Sequence, residues 1–206
     1  MNAEPESFLD LDPRHVAVLM VDFQNDFCSP AVFAGRAPTN THNAIAAHRA
    51  NDFARRAAAV GATVIYTRQI LDLERLNPRQ RRAERDSRLC LKGSWGAELF
   101  AEPVAGSHVI SKDRYDCWQR PELVEALERR QIDGLVTCGV ELVCCVLYTV
   151  LGADERGYDY LVPSDLVSGQ DPGDDTDNRA VRDFLRFNQP RHVIESASMI
   201  LTAWNA

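Results

Sequence analysis

Residues 135–149 read LVTCGVELVCCVLYT. The opening apolar run suits a strand buried on both faces. Gly139 breaks that run. A second apolar run follows, long enough to start a helix, and Cys144 and Cys145 sit at its beginning. A cysteine at a helix N-terminus meets unpaired backbone N–H groups and the positive end of the helix dipole. Both favour the thiolate, which is the nucleophilic form. The stretch therefore predicts an activated cysteine at the end of a central strand, and the rest of the chain is read for a base, a cation and a pocket.

Outward from this stretch, strands and helices alternate. Residues 15–21 (HVAVLMV) form a valine-rich run, as expected of a strand covered on both faces. Residues 40–60 read as a helix with a small-residue face, stopped by Gly61. Residues 62–67 (ATVIYT) and 107–111 (SHVIS) read as the second and third strands, and 121–130 as an amphipathic helix with Pro121 in its first turn. After Cys145 the helix is expected to run to about Arg156. A fifth strand at 158–162, a helix at 177–187, a sixth strand at 191–194 and a closing helix at 196–204 complete the order. Residues 1–14 are expected to be a loose N-terminal arm, and 15–206 a single domain. Residues 68–103 are the least regular part; the arginines at 79, 81, 82, 85 and 88 read best as a solvated helix face. The alternation predicts an α/β fold, a six-stranded parallel sheet with helices on both faces.

Composition narrows the functions. The chain has 206 residues, 45% of them hydrophobic, and a net charge of −7, which argues against broad nucleic-acid binding. No apolar run approaches a membrane span, and residues 1–14 lack a signal peptide's basic and apolar regions. A cytoplasmic protein is expected. The six cysteines, Cys28, Cys90, Cys117, Cys138, Cys144 and Cys145, include no CxxC pair. They read as mostly buried thiols rather than disulfides or a zinc site.

Strand ends carry the chemistry. Asp22 ends the first strand, where it suits a general base and equally a turn cap. Lys112 follows the third strand; beside a cysteine it would lower the thiol pKa, and alone it would pair with Asp113 or Asp116 at the surface. Right-handed crossovers put every strand C-terminus on one side of the sheet, so Asp22, Lys112 and the cysteine pair can converge.

With these residues in view, the sequence resembles the isochorismatase-like cysteine hydrolases, a family that includes nicotinamidases and N-carbamoylsarcosine amidases. VAVLMVDFQNDF is similar to its first strand and catalytic aspartate, here Asp22. VISKDRYDCW resembles its lysine segment, here Lys112. GVELVCCVLYT resembles its GVxxxxCVxxT motif, which selects Cys145 rather than Cys144 as the nucleophile. The resemblance covers nearly the whole chain. It implies the isochorismatase-like three-layer fold, a cis peptide between Val140 and Glu141, and an oxyanion site made by the N–H groups of Glu141 and Cys145. A homodimer or homotetramer is implied too. The activity implied is hydrolysis of a C–N bond in a small amide, carbamoyl or ureido compound, through a thioester.

There are departures from the family pattern. The metal-binding Asp-x-His and further His of nicotinamidases are replaced by Arg68 and Gln69, and the five histidines are scattered. No metal and no cofactor are expected, and nicotinamide loses favour as substrate. Glu141 is larger and more acidic than the small residue expected there. Phe23, Gln24, Phe27, Arg68, Gln69, Trp95, Tyr115 and Trp118 are candidates to line the substrate pocket. Core packing is at least as good a reading for Phe23 and Phe27. Competing functions are an isochorismatase-type vinyl-ether hydrolase, disfavoured by Cys145, and a non-catalytic small-molecule-binding member, disfavoured by the intact Asp, Lys and Cys. A redox protein using Cys144–Cys145 is disfavoured by the strain of a vicinal disulfide.

Overall fold

The computed structural model describes residues 7–30, 40–83, 89–167, 176–188, 193–194 and 196–205. In chain order the elements are β1 (Val16–Val21), the single turn α1 (Asn25–Cys28), α2 (Asn40–Ala59), β2 (Thr63–Gln69), α3 (Pro78–Ala83), β3 (His108–Lys112), α4 (Pro121–Arg129), β4 (Gly134–Gly139), α5 (Leu147–Asp154), β5 (Asp159–Pro163), α6 (Thr176–Asn188), β6 (Val193–Ile194) and α7 (Ser198–Ala203). The strands are parallel, in the order β3-β2-β1-β4-β5-β6. Five are full strands, while the sixth is a two-residue edge.

β1 is buried along its whole length because both of its faces are covered. Val16, Val18 and Met20 pack on α2 and α7, where Ala46, Ala47, Ala50, Ala54 and Ala57 allow a close approach of helix to sheet. Ala17, Leu19 and Val21 pack on α4 and α5, against Leu123, Leu127, Val150 and Ala153. Each fully buried aliphatic side chain contributes about 1.5–3 kcal/mol, so the central strands anchor two cores at once. β1 and β4 are neighbours although β2 and β3 intervene in sequence. The strand order reverses between them, and a crevice opens at such a reversal beyond the strand C-termini.

Two expectations need correction. Residues 7–14 are not a loose arm: they form turns at Phe8–Asp10 and Pro13–His15, and Phe8 is buried against the sheet. Gly134 makes room for Phe8 and Leu11, since a Cβ there would lie 2.5 Å from Leu11 and 2.8 Å from Phe8. The helix after β4 also does not start as an α-helix. Leu142–Val146 is a π turn, with Val146 N–H donating to Glu141 O at 3.2 Å, and the α-helix begins only at Leu147. Wide turns of this kind recur at functional sites, where they re-aim a side chain. Arg79, Arg81 and Arg82 are exposed on α3 as expected, whereas Arg85, Arg88 and the acidic 168–175 stretch lie outside the described residues.

Candidate active site

Asp22 leaves β1 with a φ of 54°, a left-handed conformation that aspartate tolerates better than most residues. Its N–H donates to Thr67 O at 3.2 Å, which ties it to the end of β2. Its side chain is fully buried and fully engaged. Thr67 Oγ1 donates to Oδ1 at 2.8 Å, and Lys112 Nζ donates to Oδ2 at 2.6 Å. Lys112 is equally buried, so the surface alternative for it fails. Its other two ammonium hydrogens go to the carbonyls of Arg114 at 3.0 Å and Tyr115 at 3.2 Å. A buried ion pair is tolerable when each remaining donor and acceptor is satisfied in this way. Burial works most strongly against the ammonium, but the charge and hydrogen bond of Asp22 together with the neighbouring cysteines outweigh it and hold Lys112 above the usual lysine range.

Cys145 closes the cluster from the π turn. It is buried, and its Sγ lies 3.9 Å from Gln69 Oε1. The thiol donates to that Gln69 oxygen, and the charge of the Asp22 carboxylate acts on it as well. Burial pushes the thiol well above the usual cysteine range, Asp22 pushes the same way, and Lys112 only partly opposes them. The expectation of a lowered pKa is therefore corrected. A helix end and a lysine favour a thiolate, but this lysine is already neutralised by Asp22, and a thiolate would add a second buried anion. Burial and the Asp22 charge thus favour the thiol form of Cys145 beside the Lys112–Asp22 pair. All six cysteines are free, and burial also raises the other five.

The peptide between Val140 and Glu141 is cis. Glu141 O accepts from both Cys144 N at 3.0 Å and Val146 N at 3.2 Å, so this residue carries the turn that holds Cys145. Gly139 is required just before it: with φ at 149°, a Cβ there would lie 2.4 Å from Val21 O.

The pocket candidates separate into groups. Gln24 is a scaffold residue, with Nε2 donating to Gln69 O and Ala97 O, both at 2.8 Å, and Oε1 accepting from Gln69 N at 2.7 Å. It thereby fixes Gln69 beside Cys145. Phe23 belongs to the core packed on α2. Trp118 belongs to the opposite core, with Nε1 donating to Thr149 O at 2.8 Å and its ring stacked on Tyr158. Arg68 alternates to the other face from Thr67 and Gln69. It binds Ser111 Oγ and Glu98 Oε2, both at 3.0 Å, and lines a cleft of about 340 Å³ whose lining includes Lys112 but neither Asp22 nor Cys145. Phe27 is half-buried beside α2, Tyr115 packs on Tyr148, and Trp95 is exposed on a turn held by Asn25 Nδ2, which donates to Trp95 O at 2.9 Å. A guanidinium held by Glu98 and an amide facing a thiol do not make a divalent-cation site, so the end of β2 does not fit a nicotinamidase-type metal.

Two partners were not legible as site residues. Thr67 ends a plain β-pattern, and only its pairing with Val21 brings it beside Asp22. Asn43, on α2, donates to Glu141 Oε1 at 3.0 Å across 98 positions of sequence.

The isochorismatase domain family model matches residues 16–193. The chain is 29% identical over 167 residues to ureidoacrylate amidohydrolase RutB of Azorhizobium caulinodans, with 72% of this chain and 73% of that protein covered. A cysteine hydrolase from Pseudomonas syringae pv. phaseolicola superposes with a TM-score of 0.79 at 20% identity, over 95% of this chain and 94% of that one. The pyrazinamidase of Pyrococcus horikoshii in complex with zinc gives a TM-score of 0.69 at 22% identity, over 87% and 97%. These two structures share the fold. The match of the family model, spanning β1 to β6, shows that the chain belongs to the isochorismatase domain family.

Proposed function

We propose that this protein is an amidohydrolase that cleaves the C–N bond of a small amide, carbamoyl or ureido compound through a thioester on Cys145. The observation that carries the reading is the buried Lys112–Asp22 pair at 2.6 Å, with the buried Cys145 thiol close enough for the Asp22 charge to act on it. A structural ion pair has no need of a thiol beside it. The name of the RutB relatives, ureidoacrylate amidohydrolases, supports the same bond type.

In this mechanism Cys145 Sγ attacks the substrate carbonyl carbon as its proton passes to Asp22. The carbonyl electrons move onto oxygen, which is met by the N–H groups of Glu141 and Cys145; a donor of this kind is worth roughly 3–4 kcal/mol. The C–N bond then breaks, and Asp22 returns the proton to the departing nitrogen. A water deprotonated by Asp22 attacks the thioester, and Cys145 leaves with the proton restored. Lys112 stays charged throughout and keeps Asp22 an anion until the thiol gives up its proton. Gln69 Oε1, fixed beside Sγ by Gln24, accepts a hydrogen bond from the substrate's amide nitrogen. Phe27, Tyr115 and Trp95 supply the apolar walls. A homodimer or homotetramer belongs to the same proposal and is tested by sedimentation.

Ammonia release from a panel of primary amides and ureido acids tests the activity. Turnover is expected in the native protein and none in Cys145→Ala; a Cys145→Ala protein that kept its rate would rule the mechanism out.

A further inference from the structure

The reaction above leaves one buried carboxyl without a task. Glu141 is 6% exposed; its side chain is bonded by Asn43 of α2, and its charge acts on the thiols of Cys28 in α1 and Cys144 in the π turn. Oε1 accepts from Asn43 Nδ2 at 3.0 Å, while Oε2 is buried with no hydrogen-bond partner among the described residues. Asn43 gives its other N–H to Phe27 O at 2.9 Å, and its own Oδ1 is also buried and unpaired. Among the described residues, the groups that bond or interact electrostatically with this carboxyl are one neutral amide and two thiols. Among the described residues no lysine or arginine pairs with it, in contrast to Asp22 and Lys112. A carboxylate here would be an uncompensated buried anion. Burial pushes Glu141 up to about 7, although the Asn43 hydrogen bond pulls the other way.

Its position gives this a consequence for catalysis. The main chain of Glu141 holds the nucleophile's turn through two hydrogen bonds to its carbonyl. Its N–H is assigned to the substrate oxyanion under "Proposed function". A negative charge on this side chain would therefore oppose the negative charge that forms on the substrate, in a buried site where such charges are weakly screened.

We propose that Glu141 is an electrostatic positioning residue whose carboxyl must be neutral for the oxyanion to form beside it. This rests on the Cys145 reading of the site. The sign of the effect is distinctive. Ionisation of the Cys145 thiol would raise the rate as pH rises, because its pKa lies above the usual range. Ionisation of Glu141 lowers the rate over the neutral range instead.

The test is acylation by p-nitrophenyl acetate, a probe that needs no knowledge of the natural substrate. Cys145 Sγ bonds to the acetyl carbon, the C–O bond breaks, the thiol proton goes to Asp22 and p-nitrophenolate leaves. First-turnover release is measured from about pH 6 to about pH 8.5, with Cys145→Ala as background and peptide mass to locate the acetyl group. Appearance of this like charge is expected to give a fall on the order of 10- to 100-fold across that range in the native protein. Glu141→Gln, which keeps shape and loses the charge, is expected to show no such fall. Asn43→Ala removes the donor that favours the anion, so its fall is expected at higher pH, a direction that general damage would not produce. A native rate that does not fall, or a fall that persists in Glu141→Gln, overturns the proposal. Absence of an acetyl group on Cys145 at every pH overturns the Cys145 reading, and this inference with it.

Discussion

Asp22 accepts from Thr67 and Lys112 on its two oxygens, and the thiol of Cys145 completes its surroundings. Three residues far apart in sequence were legible because each stands at the end of an apolar strand pattern inside a motif. Their protonation was not legible. A helix end and a neighbouring lysine suggest a thiolate, but the pairing of Lys112 with Asp22 and the burial of Cys145 reverse that balance. The expected consequence is that Cys145 contributes no thiolate absorbance near about 240 nm at neutral pH. The difference spectrum between the native protein and Cys145→Ala checks this; a clear thiolate band at neutral pH would contradict it. Thr67 and Asn43 stayed hidden because nothing in their own neighbourhoods marks them: strand register and helix placement make them partners.

At the scale of elements, strands buried on both faces were readable as unbroken apolar runs, and α2 and α4 as helices with a clear start and stop. The irregular segment between β2 and β3 was not. It is held by single long-range bonds, such as Cys90 N donating to Asp26 Oδ2 at 2.6 Å and Asn25 N to Glu98 O at 2.9 Å. No periodicity records such bonds. The π turn was also missed, because 3.6-residue spacing does not distinguish it from a helix start. The docking of α5 depends on Gly152, where a Cβ would lie 2.1 Å from Trp118 Cδ1 and 2.5 Å from its Nε1. Gly152→Ala must displace the indole that bonds Thr149 O and stacks on Tyr158. An overpacked core of this kind costs about 1–3 kcal/mol. Urea unfolding is expected to show that loss; an unchanged midpoint would mean that α5 shifts freely.

At the scale of the whole molecule, the sheet's reversal between β1 and β4 places Asp22 and the Cys145 turn in one crevice, with Lys112 reaching in from β3. The same packing leaves Glu141 buried with no lysine or arginine paired to it among the described residues. Its carboxyl is raised from 4.5 to about 7 in the folded chain. The unfolded chain releases that proton first, so this group's contribution to stability is fully present below about pH 4.5 and is lost as pH rises to about 7, by up to about 3 kcal/mol. Unfolding free energies of the native protein and Glu141→Gln are expected to converge at low pH and to separate near neutrality, with the glutamine variant the more stable. Equal curves would contradict this. The most direct measurement on the site as a whole is acid-quenched peptide mass analysis of the protein during turnover of a hydrolysed amide. An acyl group on Cys145, absent from Cys145→Ala, is the expected result. An amide hydrolysed with no acyl group on Cys145, or with one on another residue, would contradict the thioester mechanism.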